Sequence, residues 1–304
     1  MDLTALRVFV SVAERGGLTQ AADVLHLSQP AASLQLKKLQ EELGVALFER
    51  TSRGMRLTDT GHSLLPIARR ALSSVADMRA VADSIRGQLR GQMKIGTIVD
   101  PEFLRLGAWM GELSSRHPGL SFDLQQGISG VTAQGVVRGQ LDIGFSLALP
   151  GFSDLSPQLH VQHLTDCHYR VIAPPGWEAQ VQGQDWAGLA ALPWISTPQE
   201  SVHSRLLAQV FESAGVTPNI AARVDVEPSM LDLVRSGVAL SLARDNLALR
   251  AAHEQGVVIA QGLEVTAALG LVCRQDRRDE DMIRAGFDAA TAVWGKAPSA
   301  GEYP

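Results

Sequence analysis

Cysteine is scarce in this chain, which has only Cys167 and Cys273 among its 304 residues. So few cysteines agree with a reducing compartment and with the lack of a disulfide framework. The apolar runs are far shorter than the roughly 20 residues that a membrane-spanning helix needs. Residues 1–15 lack a basic start and are interrupted by Arg7 and Glu14, so they do not form a secretory signal. We therefore expect a cytoplasmic protein without a membrane partner.

The signature motifs of several enzyme classes are also missing. The sequence contains no phosphate loop of the form G-x-x-x-x-G-K, no G-x-S-x-G nucleophile elbow and no H-E-x-x-H zinc motif. With 45% apolar residues, a chain of this length should form two or three globular domains. We therefore predict a binding protein that is not an enzyme and needs no cofactor.

Charge is distributed unevenly along the chain, whose net charge is −5. Residues 1–90 contain 12 Lys/Arg and 9 Asp/Glu, a net charge of +3, whereas residues 91–304 contain 15 and 23, a net charge of −8. A positive segment beside an acidic one is expected where only the first part binds nucleic acid. Because the positive excess is small, we expect modest non-specific affinity that falls steeply with salt.

Residues 18–58 have the pattern of two helices joined by a turn and followed by a hairpin. Ser28 is a natural helix cap, and Pro30 falls in the first turn, where its missing N–H costs nothing. Gly44 is suited to end this helix. Apolar residues at intervals of four, three and four predict its buried stripe, namely Ala32, Leu36, Leu39 and Leu43. The pattern predicts a winged helix-turn-helix, which places a helix in the major groove of DNA.

The opposite face of that helix is left for DNA. Basic side chains of the hairpin can bind phosphates, which position a protein without reading the base sequence. Taken singly, these residues are equally explained as a helix start and ordinary surface charge, but the ordered set favours DNA binding. The predicted contacts are Ser28, Gln29, Pro30, Ser33, Leu34, Lys37, Arg50, Arg53 and Arg56.

Four segments near the start of the chain carry a family resemblance. They are LRVFVSVAERGGLTQAAD, LHLSQPAAS, LKKLQEELGVALFER and LTDTG. With them, residues 1 to about 60 resemble the DNA-binding end of the LysR-type transcriptional regulators. The resemblance implies that Gln29, Pro30 and Ser33 contact DNA, and that Arg53 contacts the sugar-phosphate backbone of the DNA. The chain departs from the family at Leu34, where a polar or basic residue is usual; a leucine cannot hydrogen-bond a base but can pack on a thymine methyl group.

A long helix is predicted after the hairpin, beginning at Thr58 and ending before Gly87. Its apolar residues alternate at intervals of four and three, as in a coiled-coil seam: Leu64, Ala68, Ala71, Val75, Met78, Ala82 and Ile85. We predict dimerisation through this seam, the alternative being a helix packed on its own chain. Two paired winged motifs suit an operator with dyad symmetry. The family resemblance implies a dimer or a tetramer.

From Gln92 onward, strands alternate with helices, which is typical of a parallel sheet. Two crossings, near residues 160–164 and 262–266, predict two lobes joined by a hinge. This part resembles the LysR-type effector domain, which is similar to periplasmic solute-binding proteins. The expected fold is thus multidomain, α and α/β. Its expected parts are a winged helix-turn-helix at 1–58, a linker helix at 59–90 and an effector-binding domain at 91–304, with lobe I at about 91–161 and 267–296 and lobe II at about 162–266.

The loops at the carboxyl ends of the strands form the expected effector site. Helix N-termini there supply N–H groups suited to an anion, although each residue can equally be a plain helix cap. The resemblance implies effector contacts for Thr97, Ser129 and Thr197. The full set of candidates is Thr97, Ile98, Asp100, Ile128, Ser129, Ser196, Thr197, Glu227 and Ser229.

The four loops that carry these candidates contain acidic residues but no Lys or Arg; they are residues 97–102, 127–129, 196–198 and 227–229. Asp100, Glu102 and Glu227 lie in them. This imbalance suggests an effector with a cationic or zwitterionic group, such as an amino acid or an amine. The alternative is that these acids face water or only begin helices, where they are favoured anyway.

Two constellations leave other classes of regulator open. His160, His163, Cys167 and His168 invite a metal site, but His160 and His163 point to opposite faces of an extended strand, so we predict none. Cys167 and Cys273 invite a redox switch, although buried inert thiols are commoner. A small-molecule receptor without a DNA role would leave the first 90 residues unexplained. We therefore predict a LysR-type regulator that binds an operator, an effector and RNA polymerase. The alternatives are a redox- or metal-responsive regulator, or a small-molecule receptor without a DNA role.

Overall fold

The computed structural model describes residues 2–51, 54–84, 89–98 and 100–295. A helical unit with a hairpin comes first, a long helix follows, and an α/β domain completes the described part of the chain. The predicted fold class is therefore confirmed. No helix within these ranges is both long enough and apolar enough to cross a membrane.

The N-terminal unit packs three helices and a hairpin around one small core. Its elements are α1 (Leu3–Arg15), α2 (Leu18–Val24), α3 (Gln29–Leu43), β1 (Phe48–Thr51) and β2 (Gly54–Leu57). In α3 the predicted stripe is buried at Ala32, Leu36 and Leu39. The prediction is wrong for Leu43, which is 39% exposed because α3 ends there and the chain turns away at Gly44, whose φ is 69°.

The long helix α4 spans Asp59–Ser84, and its beginning packs on the N-terminal unit of the same chain. The Thr58 hydroxyl caps it by accepting a hydrogen bond from the Gly61 N–H at 2.9 Å. The prediction of one continuous interchain seam is therefore wrong at its start, since spacing alone cannot distinguish packing within a chain from packing between chains. The seam residues that pack on the core of their own chain are Leu64, Ala68 and Ala71.

The rest of the predicted seam follows the part of α4 that leaves the N-terminal unit. Val75 is half-buried, whereas Met78 is 68% exposed. Ile67, which is 50% exposed, adds a further apolar side chain to the outward surface of this helix. The side chain of Ala82 and the whole of Ile85 lie outside the described residues.

The α/β domain contains a six-stranded mixed sheet and a two-stranded parallel sheet. Its first part contains β3 (Arg90–Thr97), α5 (Leu106–Arg116), β4 (Gly119–Gln126), α6 (Ser129–Val137) and β5 (Ile143–Ala148). Its second part contains β6 (Leu159–Ala173), α7 (Glu178–Val181), α8 (Trp186–Ala190), β7 (Pro193–Ser196), α9 (Val202–Ser213), β8 (Asn219–Arg223), α10 (Glu227–Arg235), β9 (Ser241–Arg244) and α11 (Asp245–Gln255). The chain returns through β10 (Val258–Arg274) to α12 (Asp281–Trp294).

The two predicted crossings are two long antiparallel strands, β6 and β10, paired along most of their length. The order of the large sheet is β4-β3-β5-β10-β6-β9, so β10 and β6 lie between the strands of the first part, β3 to β5, and β9 of the second part. Their register shifts between Ile259 and Glu264, where Gly262 has a φ of 75°. This arrangement brings the end of β3 and the starts of α6, α9 and α10 to one cleft between the lobes.

Candidate DNA-binding surface and effector cleft

The start of α3 has the local geometry of a capped recognition helix. The Ser28 hydroxyl accepts a hydrogen bond from the Ala31 N–H at 3.3 Å, and Pro30 occupies the first turn. The Gln40 side chain accepts a hydrogen bond from the Leu47 N–H at 2.8 Å and thereby fixes the hairpin to α3. Helix and wing are therefore held as one unit.

The predicted DNA face of α3 is open to solvent over its whole length. Leu34 is 64% exposed in the middle of it. The Lys37 ammonium lies 3.6 Å from the Glu41 carboxylate, one turn further along the helix. The predicted residues that the structure shows exposed on this surface are Ser28, Gln29, Pro30, Ser33, Leu34 and Lys37.

Only part of the predicted basic wing lies within the described structure. Arg56 pairs with Glu49 across the hairpin at 2.6 Å, and both side chains are exposed. This ion pair offsets part of the positive charge that was expected there. Arg53 and the side chain of Arg50 lie outside the described residues.

A cavity of about 90 Å³ lies between the two lobes. The predicted effector residues that line it are Ile98, Ile128, Ser129, Thr197 and Glu227. The other four predicted residues, all within the described part of the chain, do not line the cavity. Thr97 and Ser196 are buried, Ser229 is exposed, and Asp100 lies beside the cavity, where it contacts Arg244. Topology thus locates the cleft but does not decide which side chain of each loop faces it.

Arg244 is the principal residue of the cleft that the sequence analysis missed. Its guanidinium lies 2.6 Å from the Asp100 carboxylate and 2.6 Å from the Glu227 carboxylate, and its side chain is only 6% exposed. It also lies over the Phe103 ring, 5.3 Å from the centroid. The premise that the acidic cleft contains no cationic residue is therefore wrong. Arg244 is the last residue of β9, so the carboxyl-end rule would have found it had that strand been included.

The ion pairs around Arg244 leave the cleft with a negative balance. Burial disfavours the charged guanidinium, but the hydrogen bonds and the charge of Glu227, together with Asp100, outweigh this cost and raise the pKa of Arg244. One positive and two negative charges leave −1, and Asp225 adds a further negative charge to the cavity wall. These charged residues therefore carry a net negative charge.

Asp100 links the two lobes and has both carboxylate oxygens engaged. Oδ1 accepts a hydrogen bond from the Phe103 N–H at 2.9 Å, and Oδ2 accepts one from Arg244. Its φ of 89° is unusual for a residue with a side chain, although Asp tolerates it better than most. Asp100 follows β3 in lobe I, and Arg244 ends β9 in lobe II. Their ion pair therefore holds the lobes together.

A second set of contacts between the lobes lies at the starts of α6 and α9. Arg205 pairs with Asp154 at 2.9 Å, and the Gly130 N–H donates to the Glu200 carbonyl at 3.0 Å. A side chain at position 130 would meet that carbonyl at 2.3 Å, so glycine is required for this approach. The lobes are thus bridged at a second place in addition to Arg244.

His203 places a neutral imidazole in the cavity wall. Burial lowers the pKa of His203 to about 4. Its Nε2 accepts a hydrogen bond from the Leu242 N–H at 3.3 Å, so the proton of the neutral ring is on Nδ1. Nδ1 lies 3.5 Å from the Thr197 hydroxyl. Together with Thr197, His203 offers the cavity a donor that carries no charge.

The cysteines lack the properties of a redox switch. Both are buried, and burial raises the pKa of Cys167 and of Cys273 to about 12, which disfavours the reactive thiolate. Cys167 lies opposite Ala267 in the sheet, six positions from Cys273 along β10. Six strand residues span about 20 Å, far beyond the reach of a disulfide. The fold therefore gives no support to a disulfide-based alternative.

The histidines near Cys167 have other partners. His163 lies 2.8 Å from the Asp166 carboxylate, and His168 lies 3.1 Å from the Thr266 hydroxyl. The His160 ring packs on Phe287 with 5.2 Å between centroids. Across the described ranges, no three His, Cys, Asp or Glu side chains gather closely enough to hold a metal ion.

Two family models match this chain. Residues 3–62 match the bacterial regulatory helix-turn-helix protein model of the lysR family, and residues 86–295 match the LysR substrate binding domain. The chain therefore belongs to the LysR family of bacterial transcriptional regulators. It is a DNA-binding regulator with an effector-binding domain, and not an enzyme.

Individual relatives agree with this assignment. The regulator ClcR of Pseudomonas putida is 29% identical over 285 residues, which cover 91% of this chain and 94% of the relative. Full-length CbnR in complex with its target DNA is 22% identical with a TM-score of 0.63, covering 96% of this chain and 99% of that one. Full-length LysG from Corynebacterium glutamicum with bound effector Arg is 17% identical with a TM-score of 0.57, covering 98% and 100%. At these identities the two structures show a shared fold.

Proposed function

We propose that this regulator binds a dyad operator as a dimer or tetramer and responds to a small zwitterionic or cationic effector. The observation that carries the proposal is the combination, in one chain, of an exposed recognition face on α3 and a negatively charged cavity between two lobes. A receptor without a DNA role would have no use for the first of these. The protein would act in the cytoplasm, with RNA polymerase as a further partner.

In this proposal the start of α3 contacts bases, whereas Lys37 and the wing contact phosphates. Gln29, Pro30 and Ser33 meet base edges from the exposed start of the helix. Lys37 and the wing arginines contact phosphates, which supply most of the affinity and its dependence on salt. The wing set comprises Arg50, Arg53 and Arg56.

Removing two of these phosphate contacts is expected to weaken operator binding about tenfold. In the double variant Lys37→Ala/Arg53→Ala, the slope of log affinity against log salt should fall by about two, since each lost phosphate contact removes about one. Titration of a labelled operator at several salt concentrations measures both quantities. The matched control is Arg223→Ala/Arg250→Ala, which removes two exposed positive charges from lobe II. Unchanged affinity in the first double variant would contradict the assigned DNA face.

Oligomerisation is proposed through the part of α4 that leaves the N-terminal unit. Met78 presents a large exposed apolar side chain there, and Val75 stands one turn before it. The predicted seam continues to Ala82 and Ile85. Pairing two such helices would bury these side chains and set the spacing of the two winged motifs on the operator.

The effector proposal rests on two kinds of side chain in the cavity wall. Ser129, Thr197 and His203 provide uncharged donors, suited to a carboxylate. Glu227 and Asp225 provide negative charge for an ammonium or guanidinium group. We leave Asp100 out of the contacts because, unlike Glu227, it does not line the cavity.

The size of the cavity couples binding to movement. Pockets for ligands of ordinary size have volumes of about 300–1,000 Å³, whereas this one has about 90 Å³. In this proposal the lobes part to admit an amino acid, which strains the contacts of Arg244 and Arg205 across the cleft. We propose that the resulting change in lobe angle alters the spacing of the winged motifs, and hence DNA bending and transcription.

A thermal-shift screen of the full-length chain tests the effector class. Arginine, lysine and putrescine are expected to raise the melting temperature, because a ligand that binds only the native state stabilises it. The gain should shrink in Asp225→Asn and persist in the control Glu212→Gln, which removes an exposed charge at the far end of α9. If succinate and benzoate stabilise the chain while the cationic compounds do not, the proposed effector class is wrong.

A further inference from the structure

Leu34 is an apolar side chain in the middle of a polar recognition surface. It is 64% exposed and lies on the side of α3 opposite the buried residues Ala32, Leu36 and Leu39. The core of the N-terminal unit does not include Leu34. Single exposed apolar side chains are common on protein surfaces, but this one stands in the middle of the face that we propose for DNA.

Leu34 belongs to a small apolar patch, which we define as Pro30, Ala31 and Leu34. Residues three and four positions apart are neighbours on a helix surface, so Pro30 and Ala31 flank Leu34 on its N-terminal side. Pro30 is exposed and Ala31 is half-buried. On the other side, the Lys37 ammonium is held 3.6 Å from Glu41, towards the C-terminal end of the helix. The patch is therefore a coherent apolar contact surface.

We infer that the apolar patch reads the 5-methyl groups of thymines in the operator. The inference rests on the proposed DNA face of α3 and names the bases that this part of it selects. Thymine's methyl group is the apolar feature that distinguishes base pairs in the major groove. A leucine opposite any other base would bury polar edges without partners, which disfavours those bases.

The length of the patch predicts how many base pairs it covers. From residue 30 to residue 34 a helix rises about 6 Å, at about 1.5 Å per residue. Neighbouring base pairs are about 3.4 Å apart. The patch therefore spans two adjacent steps, and each half-site should contain thymine, on either strand, at one or two neighbouring positions.

Replacing thymine by deoxyuridine tests the inference, because it removes only the methyl group. The operator is first obtained by selecting random duplexes with the full-length wild-type chain, and each thymine is then replaced in turn. At one or two positions the wild type should lose about fourfold in affinity, the effect of one buried methyl group. Leu34→Ala should bind the thymine operator more weakly and should show little further loss with deoxyuridine.

Two controls make the result decisive. Val24→Ala removes another exposed apolar side chain, 50% exposed at the end of α2, and should keep the wild-type sensitivity to the methyl groups. Leu34→Arg should shift the selected base towards guanine. Full methyl sensitivity in Leu34→Ala, or none at any position in the wild type, would overturn the inference while the selected operator upholds the DNA face. If the wild type selects no operator, the result contradicts both the proposed DNA-binding face of α3 and the inference about thymine.

Discussion

Replacing Arg244 by methionine should destabilise the effector domain by about 3–5 kcal/mol, the usual cost of removing one partner from a buried ion pair. The substitution would leave the carboxylates of Asp100 and Glu227 together without their cation, although their side chains are only 18% and 17% exposed. For a domain of this size the loss corresponds to a fall in melting temperature on the order of 10 °C. Thermal unfolding of the full-length chain measures it.

A matched series separates charge from packing in this prediction. The triple variant Asp100→Asn/Glu227→Gln/Arg244→Met removes all three charges with little change in volume and should recover most of the lost stability. Arg223→Met, at an exposed position on β8, should change the free energy of unfolding by less than about 0.5 kcal/mol. An Arg244→Met protein as stable as the wild type would show that these ion pairs do not hold the lobes.

The DNA-binding end was largely predictable because its determinants are local. A cap at Ser28 and the spacing of Ala32, Leu36 and Leu39 are rules that operate within one or two helical turns. The structure bears out both the cap and these three buried residues. The failure at Leu43 has a tertiary cause, since the last turn of a helix is buried only where the following chain covers it.

The predicted seam of α4 shows a different limit. A four-and-three spacing identifies an apolar stripe but not the surface that the stripe meets. Leu64 and Ala68 meet the core of their own chain, whereas Met78 faces outward. Nothing in the spacing marks the point where the stripe leaves that core.

The cleft was predictable in position and not in charge. The rule that ligands bind at the carboxyl ends of strands predicted one site for the loops of Ile98, Ser129 and Thr197, and these three residues line one cavity. The Asp100–Arg244 contact joins residues 144 positions apart, and a local sequence pattern cannot predict a contact between such distant residues. Local composition therefore overstated how much negative charge an effector would meet.

Acid is expected to destabilise the chain through His203, by about 3 kcal/mol at pH 4. Its pKa is about 4 in the fold and 6.5 in the unfolded chain. Above pH 6.5 the ring is neutral in both states. Below that, the unfolded state binds the proton first, so the free energy of unfolding falls by at most about 1.4 kcal/mol per pH unit down to about pH 4. Urea unfolding between pH 7.5 and 4 measures the loss.

The variant His203→Gln isolates this contribution from other groups that titrate in the same range. At neutral pH it should be less stable than the wild type, because it disturbs the hydrogen bond from the Leu242 N–H. The difference should shrink as the pH falls from 6.5 towards 4, since glutamine takes up no proton. A difference that stays constant across this range would refute the buried neutral imidazole. If it shrinks as expected, His203 stays neutral between pH 5 and pH 8, and its contribution to the cavity wall does not change with physiological pH.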